Sequence, residues 1–431
     1  MGLGFSSSLK RAQSGAAAGK GFLNSLQFSS GIGGGSSQPV IINPIMFANR
    51  IGTPTQPILN SSNWKQFNQR VGITNLSDVS LQQLFFRFAN VKADGNGDSA
   101  ATVKIGLIGG NTTSTDPGRS RLLTWDAGGS TSKVIAAGAI AETYPTDLGA
   151  PLAPGNMLQL TINITFPTAP AYVPCTNIQC GSFPYDSNEA GVTVTDKSMS
   201  GVLGSYAMTR QIFGPIGAYG TPVVGPTAVK PRVLIFGDSI VVGANDTTSG
   251  ALIGWLQRAL TGSYSWVAAA QNGYSWTNMV GAARARTLSP VRDGAFTHAI
   301  SGLNTNDFGY AVSAAQIYAA MISVRDELLT KGVKLIVCTS WPRTNAGNTA
   351  QQAGDPANVF TRRSDLNQLI RDNNGVGYGY YDLAAQTEDG NTGLWRTDLG
   401  SPTADGIHPE TVIHTNVRID LASKLSTLLA V

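Results

Sequence analysis

The sequence predicts an α/β protein preceded by an all-β region, and three observations carry that prediction. From residue 232 onward, short apolar runs alternate with amphipathic stretches of helical period. Between about 39 and 220, strands of period two are separated by Gly, Asn, Asp and Pro clusters. Residues 231–243 read PRVLIFGDSIVVG, in which Val233 to Phe236 run straight into Gly237-Asp238-Ser239-Ile240. That pattern describes a buried parallel strand delivering a serine to the carboxyl edge of an open sheet.

Taken in chain order, residues 1–38 are dominated by Gly, Ser and Ala, with Lys10, Arg11 and Lys20 among them. They lack the continuous apolar stretch of about 7–15 residues that a secretory signal needs. The expectation is an arm that is disordered or orders only against a partner. Residues 39–220 are assigned to a β-sandwich, jelly-roll-like domain for carbohydrate binding or particle attachment. Thr102–Ile108 and Met157–Phe166 are its clearest alternating strands. Asp94-Gly-Asn-Gly-Asp98 imitates the start of a calcium loop. Ser99 replaces the required Gly and Ile105 stands where a bidentate Glu belongs, so the expectation is a plain turn and no metal. A second Gly-Asp-Ser, at 97–99, lies in this turn-rich stretch without an apolar strand before it, and is read as a turn.

A Gly- and Pro-rich run from 214 leads out of the β region, and a linker is assigned to 221–231. The third part is residues 232–431. Its expected strands are Arg232–Phe236, Trp266–Ala270, Thr297–Leu303, Lys334–Thr339 and Tyr378–Leu383. Its expected helices are Gly250–Leu260, Ala311–Leu329 and Thr411–Leu429. Strands alternating with helices build a parallel sheet with right-handed crossovers and both faces covered.

Composition excludes some classes of function. Only 13% of the 431 residues are charged and the net charge is +4, with no basic stripe, which argues against nucleic acid or an anionic membrane as partner. No apolar run reaches about 18 residues, so no membrane span is expected. Low charge with 50 glycines suits extracellular or particle-associated proteins. Cys175 and Cys180 could close a small disulfide, and Cys338 reads as a buried strand residue. No second Cys or His pair accompanies the first two, so no metal site or cofactor is expected.

The chemistry is concentrated in few residues. A serine hydroxyl needs a base to take its proton, and the chain has only three histidines. His298 falls within a strand and reads as core. His414 begins the last helix and reads as surface. His408 lies in the loop Asp405-Gly-Ile-His-Pro409, where Asp405 can hold one ring nitrogen and support the imidazolium. No Gly-x-Ser-x-Gly elbow occurs, which counts against an ordinary α/β-hydrolase.

These motifs, in this order, resemble the SGNH (GDSL-type) hydrolase superfamily over residues 231 to about 431. The resemblance implies a three-layer α/β/α, flavodoxin-like domain. It implies Ser239 as nucleophile, Asp405 and His408 as acid and base, and a serine esterase without a cofactor. Ala270-Gln-Asn-Gly-Tyr-Ser275 resembles the second motif and makes Gly273 a backbone donor to the oxyanion, beside the Ser239 N–H. Leu303-Asn-Thr-Asn-Asp-Phe-Gly309 resembles the third and makes the Asn306 amide the remaining donor. Asn304 stands where the family has Gly, and an alternative register, Gly302-Leu-Asn304, would make Asn304 the donor instead.

Tyr274, Trp276, Trp341 and Trp395 fall in loops expected near the site, to stack on sugar rings or to pack beneath those loops. With no broad apolar lid in the sequence, the substrate expected is a short acyl ester, acetyl above all, on a carbohydrate. The layout resembles some carbohydrate acetylesterases, and the arm resembles phage or prophage structural proteins, with a virion or oligomer partner through the arm and the β domain. A lipase or thioesterase for longer chains, and a non-enzymatic particle component, are the competing readings.

Overall fold

The computed structural model describes residues 44–48, 51–52, 56–59, 65–90, 99–109, 116–170, 172–175, 187–191, 196, 214–223, 230–247, 253–303, 305–310, 312–351 and 359–430. The expectations for residues 1–38, the 94–98 turn, Cys180 and Asn304 lie outside them.

Apart from residues 51–52, the described strands of the β region pair antiparallel, in keeping with its period-two alternation. One sheet runs in the order 45–46, 217–222, 81–89, 146–152, with 140–142 also paired to 81–89. A second runs 187–191, 66–74, 157–165, 101–109, 116–122, with 132–135 also paired to 101–109. A third pairs 172–175 with 56–59. Val71, Val103, Ile105, Leu160 and Ile162 of the second sheet join Leu84, Phe86 and Phe88 of the first in one buried core.

The Gly- and Pro-rich run that reads as the way out of this region is in part a strand. Residues 217–222 lie between two partners in the first sheet. Gly217 and Gly220 make that possible, because a Cβ at either would press into the Tyr219 ring or the Leu81 side chain.

The second part is a parallel sheet. Its strands are β1 (Ile51–Gly52), β2 (Arg232–Gly237), β3 (Ser265–Ala268), β4 (His298–Gly302), β5 (Lys334–Cys338) and β6 (Tyr380–Tyr381). Its helices are α1 (Ser239–Val242), α2 (Trp255–Leu260), α3 (Gly281–Leu288), α4 (Ala314–Leu329), α5 (Val359–Asp372), α6 (Leu383–Thr387) and α7 (Thr411–Leu428). The strand order is β6-β5-β4-β2-β3-β1, every pair parallel. Leaving β1 aside, this is the doubly wound, flavodoxin-like order, whose switch point falls between β2 and β4.

Burial on both faces follows from the alternation along each strand. Leu234 and Phe236 of β2 point into the core shared with α4 and α5, where Ile317, Met321, Val324, Leu366 and Ile370 lie. Val233 and Ile235 point into the core shared with α2 and α7, among Trp255, Leu256, Val417 and Leu421.

β1 comes from the other end of the chain. The same segment pairs residues 45–46 with 217–222 and then β1 with β3, so one short run joins both kinds of sheet. Side chains reinforce the junction. Arg87 and Arg292 both pair with Glu142, at 2.7 and 2.8 Å. Arg87 also donates to the Ser289 carbonyl at 2.6 Å. Tyr219 stacks on Phe85 at 5.1 Å between ring centroids and donates its hydroxyl to the Pro290 carbonyl.

Candidate active site

Ser239 leaves the sheet at the point where β2 ends. Asp238, fully buried, caps α1 by accepting the Ile240 N–H at 2.9 Å, and Gly243 closes the helix with φ +98. The helix is four residues long, so Ser239 stands in its first turn and close to its end. Asp246 accepts the Gly254 N–H at 2.9 Å and pairs with Arg258 at 3.1 Å.

His408 reaches Ser239 across 169 residues. Its Nε2 lies 2.8 Å from the Ser239 Oγ, and its Nδ1 lies 2.6 Å from the Asp405 Oδ2. With Nδ1–H donated to the carboxylate, Nε2 is left as the acceptor that a serine hydroxyl requires. Asp405 Oδ1 accepts the Ile407 and His408 N–H groups, both at 2.8 Å. Burial opposes ionisation of Asp405, but the hydrogen bonds from the His408 ring and from these two amides outweigh it and hold the carboxyl down at about 2. The loop needs Gly406, which has φ +84 and whose Cβ would stand 2.0 Å from the Thr344 carbonyl oxygen. The Gly406 carbonyl in turn accepts the Thr344 N–H at 2.9 Å and the Trp395 indole N–H at 3.2 Å.

The two loops expected to bind an oxyanion also sit at this edge. Gly273 follows β3, is exposed, and has φ +75 with open space around it. Asn306 opens a short 3-10 turn after β4, and one of its amide hydrogens goes to the Tyr274 carbonyl at 2.8 Å. Its amide carries a second hydrogen. The structure thus brings Asn306 against the Gly273 turn. Asp307, the next residue, is fully buried. It accepts the Trp276 N–H at 2.8 Å, the Thr277 N–H at 3.0 Å and the Thr277 hydroxyl at 2.8 Å. Burial raises its pKa, and those hydrogen bonds draw it back in part.

Two expectations about individual side chains need correction. Tyr274, Trp276, Trp341 and Trp395 present no ring face to a ligand, since none is more than 7% exposed. Trp276 packs edge-on against Phe236, Trp341 lies between Trp255 and Trp395, and Tyr274 packs under Arg286. Their loops are long enough to fold the rings underneath, which is the packing alternative. His414 is not on the surface. It is fully buried, donates through Nε2 to the Ala244 carbonyl at 3.0 Å behind the nucleophile, and is pushed down to about 4 by burial. His298 and Cys338 are buried in their strands as expected.

Asp307 and the Trp395 indole went unread in the sequence as supports of the site. The adjacency of Asp307 to Asn306 was the available signal. Among the described residues, no group of three or more His, Cys, Asp or Glu side chains could hold a metal ion. No described helix is long and apolar enough to cross a membrane.

Comparison with known proteins bears on the same segment. No curated protein matches the chain. Several solved structures are similar. A putative arylesterase from Agrobacterium tumefaciens is 18% identical, with 46% of this chain and 100% of that one covered at a TM-score of 0.36. A carbohydrate acetylesterase family member from Sinorhizobium meliloti is 19% identical, with 47% and 100% covered at 0.34. A putative acylhydrolase from Bacteroides fragilis is 16% identical, with 46% and 91% covered at 0.35. The profile of the GDSL-like Lipase/Acylhydrolase family matches residues 235–415, from within β2 into α7 and across every loop described above. This segment, rather than the chain as a whole, is a GDSL-like lipase/acylhydrolase domain.

Proposed function

We propose that the protein is a serine esterase that removes short acyl groups, acetyl foremost, from a carbohydrate through an acyl-enzyme. The observation that carries this is the unbroken relay from the Ser239 Oγ to His408 at 2.8 Å and on to Asp405 at 2.6 Å. In this reading His408 takes the Ser239 proton as the hydroxyl attacks the ester carbonyl, then returns it to the leaving alcohol. Asp405, whose carboxyl is held down at about 2, fixes the tautomer and supports the imidazolium. The Ser239 and Gly273 N–H groups and the second Asn306 amide hydrogen stabilise the tetrahedral oxyanion. Water then attacks the acyl-enzyme with His408 as base again.

Short acyl groups on a hydrophilic carrier fit the polar rim, where Asn272, Asn278 and Asp405 are exposed. A second reading, hydrolysis of longer acyl chains, has its own support. Val280 and Tyr310, which follow the two oxyanion loops, are 58% and 51% exposed and would give a longer chain apolar footing. A series of p-nitrophenyl esters from acetate to decanoate, with acetate release from an O-acetylated polysaccharide, separates the two. Turnover highest on acetyl supports the first, and kcat/KM rising with chain length replaces it with the second.

A further inference from the structure

Asp307 takes no part in the relay from Ser239 to Asp405, yet the fold buries its carboxylate completely. Burying a carboxylate costs several kcal/mol unless the group is fully hydrogen-bonded. The donors that meet this one at 2.8–3.0 Å come from two consecutive residues, Trp276 and Thr277, and the Ser275 hydroxyl beside them adds a further hydrogen bond.

Those residues end the turn that carries Gly273. At its start, the Gln271 N–H donates at 2.9 Å to the carbonyl of Gly237, the last residue of the nucleophile's strand. Only residues 272–275 lie between the two anchors, and Gly273, at φ +75, is among them. Asn306, beside Asp307, holds the Tyr274 carbonyl from the same side. One short 3-10 turn therefore grips the Gly273 turn twice, once through an amide and once through a carboxylate.

We propose that Asp307 is a positioning residue of the oxyanion hole: by holding the Trp276 and Thr277 amides it sets Gly273 in register with the Asn306 amide. This rests on the esterase reading above. Oxyanion donors act only when they stand about 2.7–3.1 Å from where the charge develops. A displacement of about 1 Å costs on the order of 10²-fold in rate. The ground-state ester makes weaker use of the same donors, so the loss falls on kcat rather than KM.

Asp307→Asn keeps the side-chain shape but turns one of the two acceptor oxygens into an amide that faces an N–H donor. With p-nitrophenyl acetate, Asp307→Asn lowers kcat about 10–100-fold and leaves KM within about threefold. An alkylboronic acid that forms a tetrahedral adduct with Ser239 binds more weakly by the same factor as kcat. A role confined to holding the loop together lowers the melting temperature without that matched loss. Should Asp307→Asn fail to fold, Thr277→Val removes the hydroxyl hydrogen bond to the carboxylate and lowers kcat about 3–10-fold at unchanged KM. A kcat within twofold of wild type in the folded variant tested overturns the inference and leaves the esterase reading standing. A wild type that hydrolyses no ester overturns that reading and this inference with it.

Discussion

The loop that carries Asp405 and His408 and the turn that carries Gly273 meet at the same edge of the sheet, but they are held by different means. The first is secured through its backbone. The Gly406 carbonyl takes the Thr344 amide and the Trp395 indole, while the Asp405 and His408 side chains stay 48% and 27% exposed. The second is secured by a buried side chain, the Asp307 carboxylate, with Asn306 beside it. The difference matches the work proposed for each. A general base exchanges protons with a leaving group and with water, so it stays accessible. Donors to an oxyanion act by preorganisation, so they gain from rigid, dry support.

The contrast can be tested from the relay outwards. His408→Ala removes the proton acceptor and should lower kcat by about 10⁴-fold or more, as loss of a triad member does. Stopped assays on p-nitrophenyl acetate with the folded variant measure this, and a loss under tenfold would mean that another group takes the proton. Next comes the oxyanion side, where Asn306→Ala should cost about 10²–10³-fold in kcat, near 3 kcal/mol of barrier, with KM little changed. A dispensable Asn306 together with an essential Asn304 would move the site to the other register. Gly406→Ala should cost less, about 10–50-fold in kcat, because the loop must shift to clear the Thr344 carbonyl while both triad side chains remain. Unchanged kcat there would mean that the loop tolerates displacement and that its backbone anchors do not set the geometry.

Such a ranking was open to the sequence only in part. The strands of the parallel sheet and the long helices α4 and α7 were legible because continuous apolar runs and 3.6-residue periodicity are local signals. Ser239, Asp405 and His408 were legible because few residue types perform this chemistry and only three histidines compete. β1 was not, since a two-residue strand has no periodicity and its partner lies more than 200 residues away. α5 was missed because its sequence, with Arg362, Arg363, Asp365, Asn367 and Gln368, obscures the two core positions Leu366 and Ile370. The burial of Trp276, Trp341, Trp395 and His414 depends on contacts made by distant loops, and local pattern cannot report those. Asp307 belongs with them, because its value lies in what faces it.

The smallest expected effect concerns stability and acid. Burial pushes His298 and His414 down to about 4 in the folded chain, against an ordinary value of 6.5. Below 6.5 the unfolded chain therefore binds protons that the folded chain refuses, and stability falls as the pH drops from 6.5 towards 4. Asp405, held down at about 2, keeps its charge across that window, so its contribution to stability is lost only as the pH falls below the ordinary carboxylate range. Thermal melts at pH 7 and pH 5 should show a lower melting temperature at pH 5. A melting temperature unchanged between them would contradict the neutral, buried state of the two histidines.

The central claim is that Ser239 is a nucleophile activated by His408. A fluorophosphonate probe followed by peptide mapping tests it most directly, because the probe reacts only with an activated serine. The expected result is a single adduct on the peptide containing Ser239, formed quickly in the wild type and lost in both Ser239→Ala and His408→Ala. Labelling at another serine, or labelling of Ser239 that persists unchanged in His408→Ala, would contradict it.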